Sequence, residues 1–114
     1  MSDESEINIF DALNYIRDKA PAYAKAKANR VYLEEFRKSK KALLMRDAEI
    51  AGQKSAVSQE REAYAHPEYR DLLEALRDAV ETEESFRWRM VAAQAKIEVW
   101  RSLSANQRAE ARTL

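Results

Sequence analysis

The residues that could do chemistry in this chain are few: a single histidine, no cysteine, and the adjacent glutamates Glu34-Glu35 and Glu83-Glu84. His66 stands directly before Pro67, where capping a helix start is a more natural role than proton transfer. Glu62 lies one turn before it, but one carboxylate and one imidazole fall short of a metal site. A magnesium site between facing helices needs clustered carboxylates. Neither glutamate pair has a third acid at the following turn, and Lys38 occupies the place where Glu34-Glu35 would want one. A phosphate-cradling loop cannot be built with one glycine. The serines have no histidine partner in any recognisable context. The expectation is a non-enzymatic protein with no metal and no cofactor.

What remains is cationic. Formal net charge is zero, yet the charge is segregated in blocks. Residues 1–16 carry −4, and residues 17–46 hold ten basic and three acidic side chains, +7. Residues 47–86 return to −7 and residues 87–114 to +4. Such blocks pair with each other or with a partner. Lys19, Lys25, Lys27 and Arg30 in the first basic block, with Arg87, Arg89, Lys96 and Arg101 in the second, are the candidate DNA-binding set. Lysine and arginine on helices reach phosphates and release counterions, so such binding is salt-sensitive and largely sequence-independent. Trp88 between two arginines and Tyr23 beside Lys25 offer stacking surfaces for single strands, although packing is the commoner role for Trp88 and Trp100.

These side chains must be positioned by helices. Thirty-five per cent charged residues, one glycine and two prolines describe long-helix composition. Steps of three and four from Tyr69 pass through Leu72, Leu76, Ala79, Glu83, Phe86, Met90, Ala93, Ile97 and Trp100. Glu83 is the only polar residue on this heptad seam, which predicts a coiled-coil-like helix from Pro67 to about Leu103, roughly 55 Å long. Before it, Asn8 reads as the N-cap of a short helix over Ile9–Lys19, with Ile9, Phe10, Leu13 and Ile16 as its apolar face. Pro21 breaks that helix or starts the next. The next helix runs to about Ala51 with a seam of Ala22, Ala26, Leu33, Phe36, Leu43 and Ile50, interrupted by Asn29, Lys40 and Asp47. Gly52 ends it. Residues 53–66 read equally as a weak helix or a capped loop. Residues 1–6 and 105–114 read as flexible.

The predicted fold class is therefore all-α: one domain over residues 1–114, an antiparallel long-helix hairpin with a short N-terminal helix, completed to a bundle by oligomerisation. In this hairpin Arg37, Lys38, Lys40 and Lys41 are expected beside Asp78, Glu81, Glu83 and Glu84. Trp88, Val91, Ala95 and Val99 lie away from the seam and form the expected oligomer interface, because a helix apolar on two sides must be covered on two sides. Phe36, Leu43, Leu76, Phe86, Met90 and Ile97 are the expected core. No apolar run approaches 18 residues, so no membrane span is expected.

Three blocks carry a resemblance: Tyr32-Leu-Glu-Glu-Phe-Arg-Lys-Ser-Lys-Lys-Ala-Leu-Leu-Met, Arg61-Glu-Ala-Tyr-Ala-His-Pro-Glu-Tyr and Ile97-Glu-Val-Trp-Arg-Ser. Across about residues 20–105 the chain resembles small helical accessory proteins of tailed bacteriophages, encoded near recombination and replication genes. The resemblance has no diagnostic motif and assigns no site residue. It implies the host cytoplasm as the compartment and a link to phage DNA metabolism. The expected partners are further copies of the chain and DNA, with a protein–protein adaptor that binds no nucleic acid as the alternative.

Overall fold

The computed structural model describes residues 8–113, and over them the chain forms three helices and no strand: α1 (Ile9–Ile50), α2 (Ala56–Ala65) and α3 (Pro67–Thr113). The flexible-lead reading of residues 1–6 falls outside the described residues, as does Leu114. Asn8 caps α1 as its sequence position predicts: Oδ1 accepts from the Asp11 backbone N–H at 3.0 Å.

Pro21 does not divide the first helix. It lies inside α1, although an interior proline loses a backbone donor and costs about 3 kcal/mol. Half-buried residues pack on either side of it, Ile16 before and Ala22 and Tyr23 after. Packing at both flanks outweighs a single local penalty. α3 likewise runs ten residues beyond the predicted end, through Thr113, since no Gly or Pro follows Pro67 to stop it.

At the other end of α1, Gly52 adopts φ 113°. Its N–H donates to Glu49 O at 3.1 Å and the Gln53 N–H donates to Ala48 O at 2.9 Å. These two bonds form a Schellman cap, which needs the left-handed backbone that glycine reaches without a Cβ penalty. Of residues 53–66, Ala56–Ala65 form a helix. Ser55 caps α2, its Oγ accepting from Ser58 N–H. His66 closes α2 and opens α3 at once: its N–H donates to Ala63 O, while its Nδ1 accepts from the Glu68 N–H at 3.0 Å. Pro67 follows at the first position of α3, where its missing donor has no intrahelical partner.

The chain divides into two compact units, Ala24–Glu83 and Met1–Tyr23 with Glu84–Leu114. In the Ala24–Glu83 unit, α1 and α3 run antiparallel, since Arg30 meets Glu83 and Lys40 meets Glu68. Leu44 of α1, Ala63 of α2 and Tyr69 of α3 form the core cluster, with Met45 against it. In the second unit Ala12, Met90 and Ala93 are buried.

The seam of α3 follows the sequence closely. Tyr69, Leu72, Ala79, Glu83, Met90 and Ala93 are buried, Leu76, Phe86 and Ile97 are half-buried, and Trp100 alone is exposed, at 42%. The seam of α1 follows the sequence in its first half, where Ala22, Ala26, Leu33 and Phe36 are half-buried, and departs from it in the second. Leu43 and Ile50 are 49% and 75% exposed, whereas Leu44 is 3% exposed and Ala48 is buried. The covered line runs through half-buried Ala26, Arg30, Leu33 and Lys40 to buried Leu44 and Ala48, and beyond Lys40 it is displaced by one residue, about 100° around the helix. Arg30 and Lys40 hold seam places with their aliphatic stems, so a search for apolar residues alone settles on the wrong neighbour. Of the expected core, Met90 is buried, Phe36, Leu76, Phe86 and Ile97 are half-buried, and Leu43 is outside. Phe10 and Leu13 are exposed as well, leaving Ala12 as the buried contact of the first turns.

Candidate functional site

Glu83, the one polar seam residue of α3, is 7% exposed. Arg30 answers it from α1: Nε and Nη2 both donate to the Glu83 carboxylate, Nη2 at 3.1 Å, and Nη1 donates to Glu34 at 2.9 Å. The hydrogen bonds to Glu83 first, and then to Glu34, push the Arg30 pKa further above its ordinary value. A charged group in a seam is tolerated when it is paired and fully hydrogen-bonded, and this pair also fixes register. The sequence expects Arg37, Lys38, Lys40 and Lys41 beside Asp78, Glu81, Glu83 and Glu84; the structure sets Arg30 against Glu83 instead. Lys40 pairs with Glu68 at 3.5 Å and Lys41 with Glu60 at 3.1 Å, while Lys38 bonds Glu35 on its own helix. In this register residues 56–65 fold into α2, and its Ala63 packs with Leu44 and Tyr69.

α2 supplies more of the electrostatics than its sequence announces. Lys41 Nζ sits 4.7 Å from the Tyr64 ring centroid, and Tyr64 packs edge-on against Tyr69 at 5.3 Å. Hydrogen bonding to Tyr64, then to Glu60, raises the Lys41 pKa. The paired glutamates weighed as metal ligands are all in ion pairs: Glu34 and Glu83 with Arg30, Glu35 with Lys38, and Glu84 with Arg87. Among the described residues, no group of three His, Asp or Glu side chains could hold a metal ion. No helix of the described residues is long and apolar enough to cross a membrane.

The eight candidate DNA-binding residues are divided between the units. Lys25, Lys27 and Arg30 belong to Ala24–Glu83; Lys19, Arg87, Arg89, Lys96 and Arg101 belong to the other. Three of the eight are engaged within the chain. Arg30 is held by Glu83 and Glu34; Arg87 is paired with Glu84 at 2.8 Å and lies over the Trp88 ring at 4.5 Å; Arg101 is paired with Glu98 at 3.1 Å. Lys19, Lys25, Lys27, Arg89 and Lys96 make no ion pair among the described residues. Arg89 and Lys96 are one heptad apart on α3 and, with Asp11, Ala12, Tyr15, Ala92 and Ala93, line an open groove of about 320 Å³. The Tyr15 hydroxyl is closed off from solvent with no hydrogen-bond partner among the described residues, a cost of about 1–3 kcal/mol.

Trp88 is 59% exposed, and Val91 and Val99 are exposed with it. Ala95 shares their side of α3 and is exposed too. The candidate interface residues therefore stand uncovered within the chain. No family model, no curated protein and no solved structure matches this sequence.

Proposed function

We propose that this chain is a non-enzymatic helical accessory protein that assembles with copies of itself and binds nucleic acid through phosphate contacts. The observation that carries the nucleic-acid part is the contrast among its cations. Arg30, Arg87 and Arg101 are engaged by internal carboxylates, while Lys19, Lys25, Lys27, Arg89 and Lys96 carry no such partner among the described residues. Long exposed cations with no intramolecular counterion are the groups that exchange salt ions for phosphates. The resemblance to phage accessory proteins supports a role in phage DNA recombination or replication, in the host cytoplasm.

The test is a fluorescence-anisotropy titration of a labelled oligonucleotide, single- and double-stranded, at two salt concentrations. Neutralising Lys19, Arg89 and Lys96 together should weaken binding on every sequence. It should also flatten the salt dependence by about 0.9 in log–log slope for each duplex phosphate that is no longer neutralised. No binding by the wild type at about 50 mM salt, the low end where phosphate contacts are strongest, would sink this reading. A second reading, a protein–protein adaptor without nucleic acid, is favoured by the uncovered apolar side of α3 and takes over in that event.

A further inference from the structure

The outward side of α3 beyond Glu84 is apolar, with Trp88, Val91 and Val99 exposed on it. Its edge carries a pattern that selects what covers it. At alternating steps of three and four, the chain places Glu84, Arg87, Val91, Gln94, Glu98 and Arg101 along one line of the helix. Their charges read minus, plus, neutral, neutral, minus, plus. The Glu84–Arg87 pair at 2.8 Å and the Glu98–Arg101 pair at 3.1 Å hold these groups to that line. Turned end for end, the line reads plus, minus, neutral, neutral, plus, minus, which is opposite in sign at every charged position.

We propose that a second copy of this chain docks on this face antiparallel to the first, about a two-fold axis near Ala92. The line then sets Glu84 against Arg101 of the second copy and Arg87 against its Glu98, and each contact occurs twice, as two-fold symmetry requires. A parallel arrangement would turn this line toward the other edge of the partner helix, and its end-for-end complementarity would go unused. The apolar residues fit the same axis. Ala92 and Ala95 lie at the middle and let the helix backbones approach, while Trp88 meets the smaller Val99 of the second copy at either end. Glu98 and Arg101 are already paired within the chain, so docking joins two ion pairs into a four-charge network at each end rather than exposing a bare charge. The inference rests on the assembly part of the function proposed above and is independent of nucleic acid.

Because the chain has no cysteine, thiols can be placed at will. Sedimentation equilibrium of the full chain at micromolar concentration should give twice the 13.2 kDa chain mass. In a parallel pair, Ala92→Cys and Ser102→Cys would cross-link equally well with a short bismaleimide. In the antiparallel pair Ala92→Cys should cross-link efficiently. Ser102→Cys should not, because its two copies lie about 28 Å apart along the axis at 1.5 Å rise per residue. Val91→Glu should yield a monomer of unchanged helicity. A monomer at all concentrations overturns the assembly reading and this proposal with it. A dimer in which Ser102→Cys cross-links as well as Ala92→Cys, or in which neither does, overturns the proposed pairing and leaves assembly standing.

Discussion

The two units use the same long helices and end up differently covered. In Ala24–Glu83, α2 lies against the hairpin: Ala63 is completely buried between Leu44 and Tyr69, and Tyr64 is held by Lys41 and Tyr69. The exposed apolar residues there are scattered, and Tyr32 stacks on Phe36 at 5.9 Å. Among the described residues, the other unit has no third helix. Its exposed Trp88, Val91 and Val99 are aligned on one side of α3, bordered by alternating charges. A short ten-residue helix thus distinguishes a unit whose seam is closed from one whose outer face remains open to a partner. Two long helices bury one stripe each, and a third element is needed before a second stripe can be covered.

The closed unit should be the more sensitive to truncation. Leu44→Ala should lower unfolding free energy by about 2–5 kcal/mol in urea titrations, while its neighbour Leu43→Ala should stay within about 0.5 kcal/mol. Equal effects would place the seam of α1 back where the apolar pattern alone puts it. The Arg30–Glu83 pair sharpens the same comparison. Arg30→Ala strands a buried carboxylate and should lower Tm more than the double variant Arg30→Met/Glu83→Leu, which removes both charges and fills the seam. If the double variant is the less stable one, the pair is a net source of stability and not chiefly a register lock. A smaller effect than at Leu44 is expected at the cap. Gly52→Ala meets no atom within 4 Å of the new Cβ, so its cost is the positive φ alone, about 1–2 kcal/mol by chevron analysis or urea midpoint.

Much of this architecture is readable without coordinates, because it rests on local physics. The Asn8 cap, the Pro67 start, the Gly52 stop and the seam from Tyr69 to Ile97 depend on backbone donors, φ preference and helical periodicity, all short-range in the chain. The site residues were legible as types only: eight cations stand out by position, but which of them meet a carboxylate depends on what stands across the hairpin. Tertiary packing made the remaining decisions. Pro21 stays inside α1 because packing of half-buried Ile16, Ala22 and Tyr23 on both flanks outweighs one absent hydrogen bond. Leu44 replaces Leu43 because it packs with Ala63 of α2 and Tyr69 of α3. Register departs from the matching of charge blocks, with Lys40 against Glu68 and Lys41 against Glu60. Helical periodicity repeats every seven residues, so every heptad-shifted pairing satisfies it equally; only the specific contacts of Arg30 with Glu83 and of Leu44 with Tyr69 single one out.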